Sequence, residues 1–187
     1  MALQKSFQAL CGQLRELQEV LEAVNTTVEE DRPRRKDVVV ASSLADAILA
    51  VRGLLEESRV AADEACDAIG PSPDLDRARR ALTTCQERFH RFAAEFSHDL
   101  VSYDRMADLA SVARERGRDW ANWVEVVNQG LAQCQAFVEE GREALFLCWQ
   151  DLTERLSATS VSVHTTNIGQ QLYPRQLMGA TPESGVT

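Results

Sequence analysis

The sequence predicts an all-α protein: an elongated antiparallel four-helix bundle, running up-down-up-down, with a flexible C-terminal tail. Three features carry that prediction. Apolar residues recur at alternating intervals of four and three along most of the chain. Proline and glycine clusters interrupt the pattern at only a few points, so the connections are short and consecutive helices are antiparallel neighbours. After Ser157 both the helical period and the charge disappear.

The first segment is the clearest. Leu3, Phe7, Leu10, Leu14, Leu17, Leu21, Val24 and Val28 form an unbroken heptad seam, and Cys11 and Val20 widen it. A stripe wider than a strict seam suits a bundle better than an isolated two-stranded coil. Glu29-Glu30-Asp31-Arg32-Pro33 ends it, because proline blocks further helix. The second helix starts near Asp37, a good N-cap, and its apolar face runs through Val40, Leu44, Ile48, Val51, Leu55, Ala62, Ala65 and Ile69. Gly70-Pro71-Ser72-Pro73 closes it, with Ser72 placed to cap the next helix and Pro73 at its first position.

Leu75, Ala78, Leu82, Cys85, Phe89, Phe92 and Phe96 mark the third helix, and the seam continues at Tyr103, Met106 and Ala110. Asp99 falls where an apolar residue is due, so Ser97-His98-Asp99 marks a kink, a wet spot or a partner contact. Gly117 stops this helix. The fourth begins around Asp119 and carries Trp120, Val124, Val127, Leu131, Cys134, Val138, Gly141, Leu145, Cys148 and Leu152. Gly141 lies in the seam, where a bulky side chain of a facing helix can approach closely. On this register Trp120 plugs one end of the bundle. Trp123 lies off the seam and is an exposed candidate for partner binding.

The domain boundary falls at Ser157: residues 1–157 form the bundle and residues 158–187 the tail. The tail holds only Arg175 and Glu183 as charged groups, so the net charge of -9 belongs to the bundle. That charge argues against nucleic acid and anionic membranes as partners, since both need a clustered basic surface. Arg32, Arg34, Arg35 and Lys36 are the one basic cluster, and it reads as a solvated turn. The chain has neither an apolar run of bilayer length nor the features of a secretory signal at its start, so a cytoplasmic location is expected. The 5 cysteines fit, being odd in number, widely spread and without a C-x-x-C pair. They read as buried small hydrophobes.

No motif marks an enzyme or a cofactor. Glu87-x-x-His90 and Glu95-x-x-His98 have di-iron spacing, but both fall on one helix and cannot face each other across a core. There is no nucleophile elbow and no glycine-rich phosphate loop. The functional lead is the tail. Ser160-Val161-Ser162-Val163 has the alternation of a strand that adds to a partner's sheet edge. Val161, Val163, Ile168, Leu172 and Tyr173 are the candidate contacts, and Arg175 is a candidate cleavage position in accessible chain. A tail without a role is the alternative.

A small acidic bundle followed by Ser-Val-Ser-Val-His-Thr-Thr-Asn-Ile-Gly-Gln-Gln, residues 160–171, resembles the small helical proteins encoded beside bacterial caspase-like and TPR proteins in conflict (defence) systems. The resemblance implies an accessory or substrate protein whose partner is a caspase-like protease. It makes Arg175 a cleavage candidate, beside arginines such as Arg116. The sequence reading is therefore a non-enzymatic adaptor that presents its tail to a protein partner. The alternatives are a self-assembling structural protein, since heptad seams also pair between chains, and a metal-binding bundle.

Overall fold

The computed structural model describes residues 2–35 and 39–171, and for residues 32–35 and 160–171 it describes the backbone alone. The protein is an all-α bundle of five helices, with no strand among the described residues: α1 (Ala2–Arg35), α2 (Val39–Ala68), α3 (Leu75–Asp99), α4 (Tyr103–Arg116) and α5 (Arg118–Gln171). Its contacts divide the chain into two compact units, Met1–Leu152 and Thr153–Thr187.

The core of the first unit follows the heptads. Phe7, Leu10, Leu14, Leu17, Leu21, Val24 and Val28 are all buried along α1, as are Leu44, Ile48, Val51, Leu55, Ala62 and Ala65 along α2. The seam position between Leu55 and Ala62 is filled by Ser58, which is fully buried. Its hydroxyl donates to the Leu54 carbonyl at 2.8 Å, so the polar group is satisfied within its own helix. Helix α1 runs through Pro33 to Arg35, two residues beyond the expected stop.

Contacts fix the direction of each neighbouring pair. Arg15 reaches Asp63 at 2.8 Å, Gln18 reaches Glu56 at 2.9 Å, and Arg52 pairs with Glu22. Positions rising on α1 meet positions falling on α2, so the two are antiparallel. Arg77–Glu64 and Arg88–Glu57 run α2 against α3 in the same sense. Gly130 of α5 meets Val24 of α1, and Gly141 meets Phe89 of α3. A Cβ at Gly141 would lie 2.7 Å from the Phe89 ring tip, closer than real Cβ atoms come. The close approach expected at Gly141 is present, and Gly130 repeats it on another helix.

The expected third helix is two helices. Helix α3 ends at Asp99, where the Leu100 and Val101 amides both donate to the Phe96 carbonyl at 3.0 and 3.3 Å. Ser102 then caps α4, its hydroxyl accepting from the Arg105 amide. The Arg105 side chain donates to the Asp99 carbonyl at 3.0 Å and to the Ser43 hydroxyl at 2.5 Å, tying the break to α2. The break rotates the register of α4 relative to α3. Leu100 and Leu109 are buried, whereas Tyr103 is 87% exposed, Met106 half-buried and Ala110 exposed. The seam does not pass through Tyr103, Met106 and Ala110, because a heptad survives only while the helix is continuous. The cap of α3 is Asp74, which accepts from the Arg77 amide at 2.9 Å; Ser72 does not serve. Gly117 stops α4 as expected, with φ at +88°.

The helix also runs further at the C-terminal end than the sequence suggests. Its backbone is helical to Gln171, where the sequence predicts an extended segment from residue 158. The Ser157 and Thr159 hydroxyls donate back to the Thr153 and Arg155 carbonyls, each at 2.9 Å. A helix already formed gains one bond per added residue without a new nucleus, so weak helix formers can prolong it. No described helix is long and apolar enough to cross a membrane.

The glycine contact predicts a sign reversal. Gly141→Ala gains up to about 1 kcal/mol of helix propensity but should lose roughly 1–3 kcal/mol to overpacking against Phe89. Denaturant melts should show net destabilisation in the natural chain and stabilisation in a Phe89→Leu background. Stabilisation in both would refute the contact.

Candidate functional site

The surface of the Met1–Leu152 unit offers grooves between helices and one strip of paired polar groups. On that strip, Arg59 bridges Glu56 at 2.6 Å and Asp63 at 2.8 Å, while Arg15 and Gln18 reach the same two acids from α1. The Arg59 hydrogen bond holds the Glu56 carboxyl below its ordinary range, and Glu56 in turn raises the Arg59 guanidinium. A groove of about 490 Å³ runs beside Arg15, Gln18, Glu22, Glu56 and Arg59. Its neighbour, about 470 Å³, is lined by Gln8, Cys11, Gly12, Arg15, Asp63 and Cys66.

Two grooves flank α5. Between α1 and α5, Val20, Ala23, Val24, Val126, Val127 and Gly130 line about 270 Å³. Between α4 and α5, Ala110, Ala113, Ala121, Val124 and Ala132 line about 760 Å³ together with Arg114, Glu125, Asn128 and Gln129. Further along α5, Phe146 is 67% exposed and Leu147 46%. Neither position stands out in the sequence. Both lie off the heptad seam, and a single exposed aromatic carries no periodic signal.

The two tryptophans reverse their expected roles. Trp123 is buried, 5% exposed, and Trp120 is half-buried. Their rings meet edge to face, with centroids 5.6 Å apart. Trp123 is thus a core residue and no exposed docking contact. The buried face at this end passes through Trp123, Val124 and Val127.

Two of the 3 histidines, His90 and His98, lie on the outer face of α3. His90 and His98 are exposed, Glu87 is exposed, Glu95 pairs with Arg91 at 2.9 Å, and His98 contacts Asp99 at 2.6 Å. Among the described residues no three histidines, cysteines or acids stand where they could hold a metal ion.

All 5 cysteines are free thiols. Burial pushes Cys85, Cys134 and Cys148 up to about 12, which favours the neutral thiol. Burial also raises Cys11, with Cys66 and Asp63 adding to the effect. Cys66 alone of the five is half-buried.

Of the tail positions, Val161, Val163 and Ile168 fall on the helical backbone of α5, in place of the strand-like alternation read from the sequence. Leu172, Tyr173 and Arg175 lie outside the described residues. Along Thr153–Thr159 every side chain is exposed except the half-buried Leu156.

Comparison with known protein families, with curated proteins and with solved structures finds no match.

The tryptophan geometry sets an order of stability losses. Trp123→Ala should cost roughly 3–5 kcal/mol by emptying a core site. Trp120→Ala should cost less, mainly the ~0.5–1.5 kcal/mol of the ring pair plus part of its burial. Urea melts followed by circular dichroism measure both, and a larger loss at Trp120 would contradict the packing.

Proposed function

We propose that this protein is a non-enzymatic interaction module. The Met1–Leu152 unit is the scaffold, read as α1, α2, α3 and α5 in antiparallel order around one core with α4 as a connecting helix. The segment from Thr153 onward is offered to a protein partner. The observation that carries this reading is the change along α5 at Leu152. Leu152 is fully buried and closes the core. Beyond it the backbone stays helical, yet six of the next seven side chains are exposed. A helix that outlasts its own core is available to a groove on another protein, and Leu156, Val161, Val163 and Ile168 are the apolar residues the sequence supplies along it. This replaces strand addition as the mode of contact. Five free thiols favour a reducing compartment, in keeping with a cytoplasmic role. A protease partner, as the resemblance of residues 160–171 implies, falls within the same reading.

A second reading, self-association, is favoured by the exposed neighbours Phe146 and Leu147. Paired apolar residues on an outer helical face suit an isologous contact between two copies.

Removing residues 153–187 should leave the melting temperature within a few degrees of the full chain, about the effect of losing well under 1 kcal/mol. It should also abolish capture of the protein's partner from host lysate. Equal capture by both forms would move the contact onto the bundle, and a recovered chain shortened after Arg175 would identify a protease as the partner. Light scattering across a concentration series tests self-association. A dimer should dissociate at least ~10-fold more readily in Phe146→Asp, a loss of about 1.4 kcal/mol. A monomer at all concentrations rules that reading out.

A further inference from the structure

We propose that Cys11 and Cys66 form a redox-responsive dithiol, which a hydroperoxide converts into a disulfide between α1 and α2.

The placement comes from the register of the two helices. Arg15 on α1 meets Asp63 on α2 at 2.8 Å. Cys11 lies four residues before Arg15, and Cys66 three residues after Asp63. In an antiparallel pair, one turn back on one helix faces one turn forward on the other, on the same side. The two thiols therefore stand opposite each other, one turn from an observed cross-helix contact. Both line the same groove, together with Arg15 and Asp63. Cys66 and Asp63 both act on the Cys11 thiol, as side chains in immediate proximity do.

Cys66 differs from the other cysteines in access. Cys85, Cys134 and Cys148 are buried, whereas Cys66 is half-buried at a groove that solvent enters. Cys66 is the sulfur an oxidant reaches first, and Cys11 is the buried thiol behind it. The chemistry balances in two steps. The Cys66 sulfur attacks the O–O bond of the hydroperoxide, giving a sulfenic acid and releasing an alcohol, or water when the oxidant is hydrogen peroxide. The Cys11 sulfur then displaces the sulfenic hydroxyl, and its own proton leaves with that hydroxyl as water. The two sulfurs together lose two electrons, and the peroxide bond takes them. The product staples α1 to α2. The constraint acts mainly on the unfolded chain.

The test treats the full chain with dilute hydrogen peroxide, then maps its peptides without reduction. The expected result is one intramolecular link joining the Cys11 and Cys66 peptides, with the loss of two hydrogens. The melting temperature should rise by roughly 10 °C and return on adding dithiothreitol. Cys66→Ser, at a half-buried position that tolerates the change, should show neither link nor shift. Cys11→Ala should stop at sulfenic or sulfinic acid on Cys66. A link from Cys66 to Cys148, whose thiol Cys66 also influences, would overturn the proposal. So would a link between chains, or oxidised Cys66 with Cys11 still open to alkylation after unfolding.

Discussion

Phe89 and Gly141 set how near α3 and α5 can lie, and much of the bundle depends on that distance. Phe89, Phe92 and Phe96 form a fully buried ladder on α3, with successive ring centroids 5.9 and 5.8 Å apart. A ladder of three rings is wide, and α5 can close over it only where a side chain is missing. Gly141 supplies that gap. Gly130 does the same for Val24 of α1 three turns earlier on the same helix. Two glycines thus hold α5 in register against two neighbours. That register brings Cys148 beside Ser6 of α1 and within reach of Cys85 on α3.

A core closed in this way leaves little room for chemistry inside it. Ser58 is the one buried polar residue among those described, and it spends its hydroxyl on its own helix. Reactive and recognisable groups are displaced to the seams between helices. The α1–α2 seam collects Arg15, Gln18, Glu56, Arg59 and Asp63 into one paired network, with a thiol pair at its end. The α4–α5 groove is different: four alanines and Val124 line it together with Arg114, Glu125, Asn128 and Gln129. Helix α4 itself buries only Leu109, and it is held through Arg105 at the break more than through its own apolar face.

The candidate surfaces are legible in the sequence to unequal degrees. The antiparallel pairing of α1 with α2 brings Cys11 and Cys66 to one groove, so that placement depends only on the two helices. It is hidden from a search for C-x-x-C, because the spacing that matters runs across the two helices. Periodicity ranks Trp120 and Trp123 in the wrong order because it carries the seam of α5 unchanged into its first turn, where Trp123 is the buried ring and Trp120 is half-buried. The strand-like alternation of Ser160-Val161-Ser162-Val163 is a local preference, and continuation of a formed helix overrides it.

By itself the sequence determined that the chain is helical, where α1 and α2 bury their apolar faces, that Gly117 ends a helix, and that Gly141 faces a bulky partner. Each depends on local periodicity or on the conformational freedom of one residue, and both are written in neighbouring positions. The out-of-place Asp99 marked the site of a kink, but only the tertiary structure decided that it is a full break between α3 and α4, that Leu109 takes the place of Ala110 in the core, and that Trp123 lies inside. Those outcomes depend on the rotation of one helix relative to another. At the break Arg105 binds the Asp99 carbonyl and the Ser43 hydroxyl, and the second is a contact between residues 62 positions apart that no local pattern records.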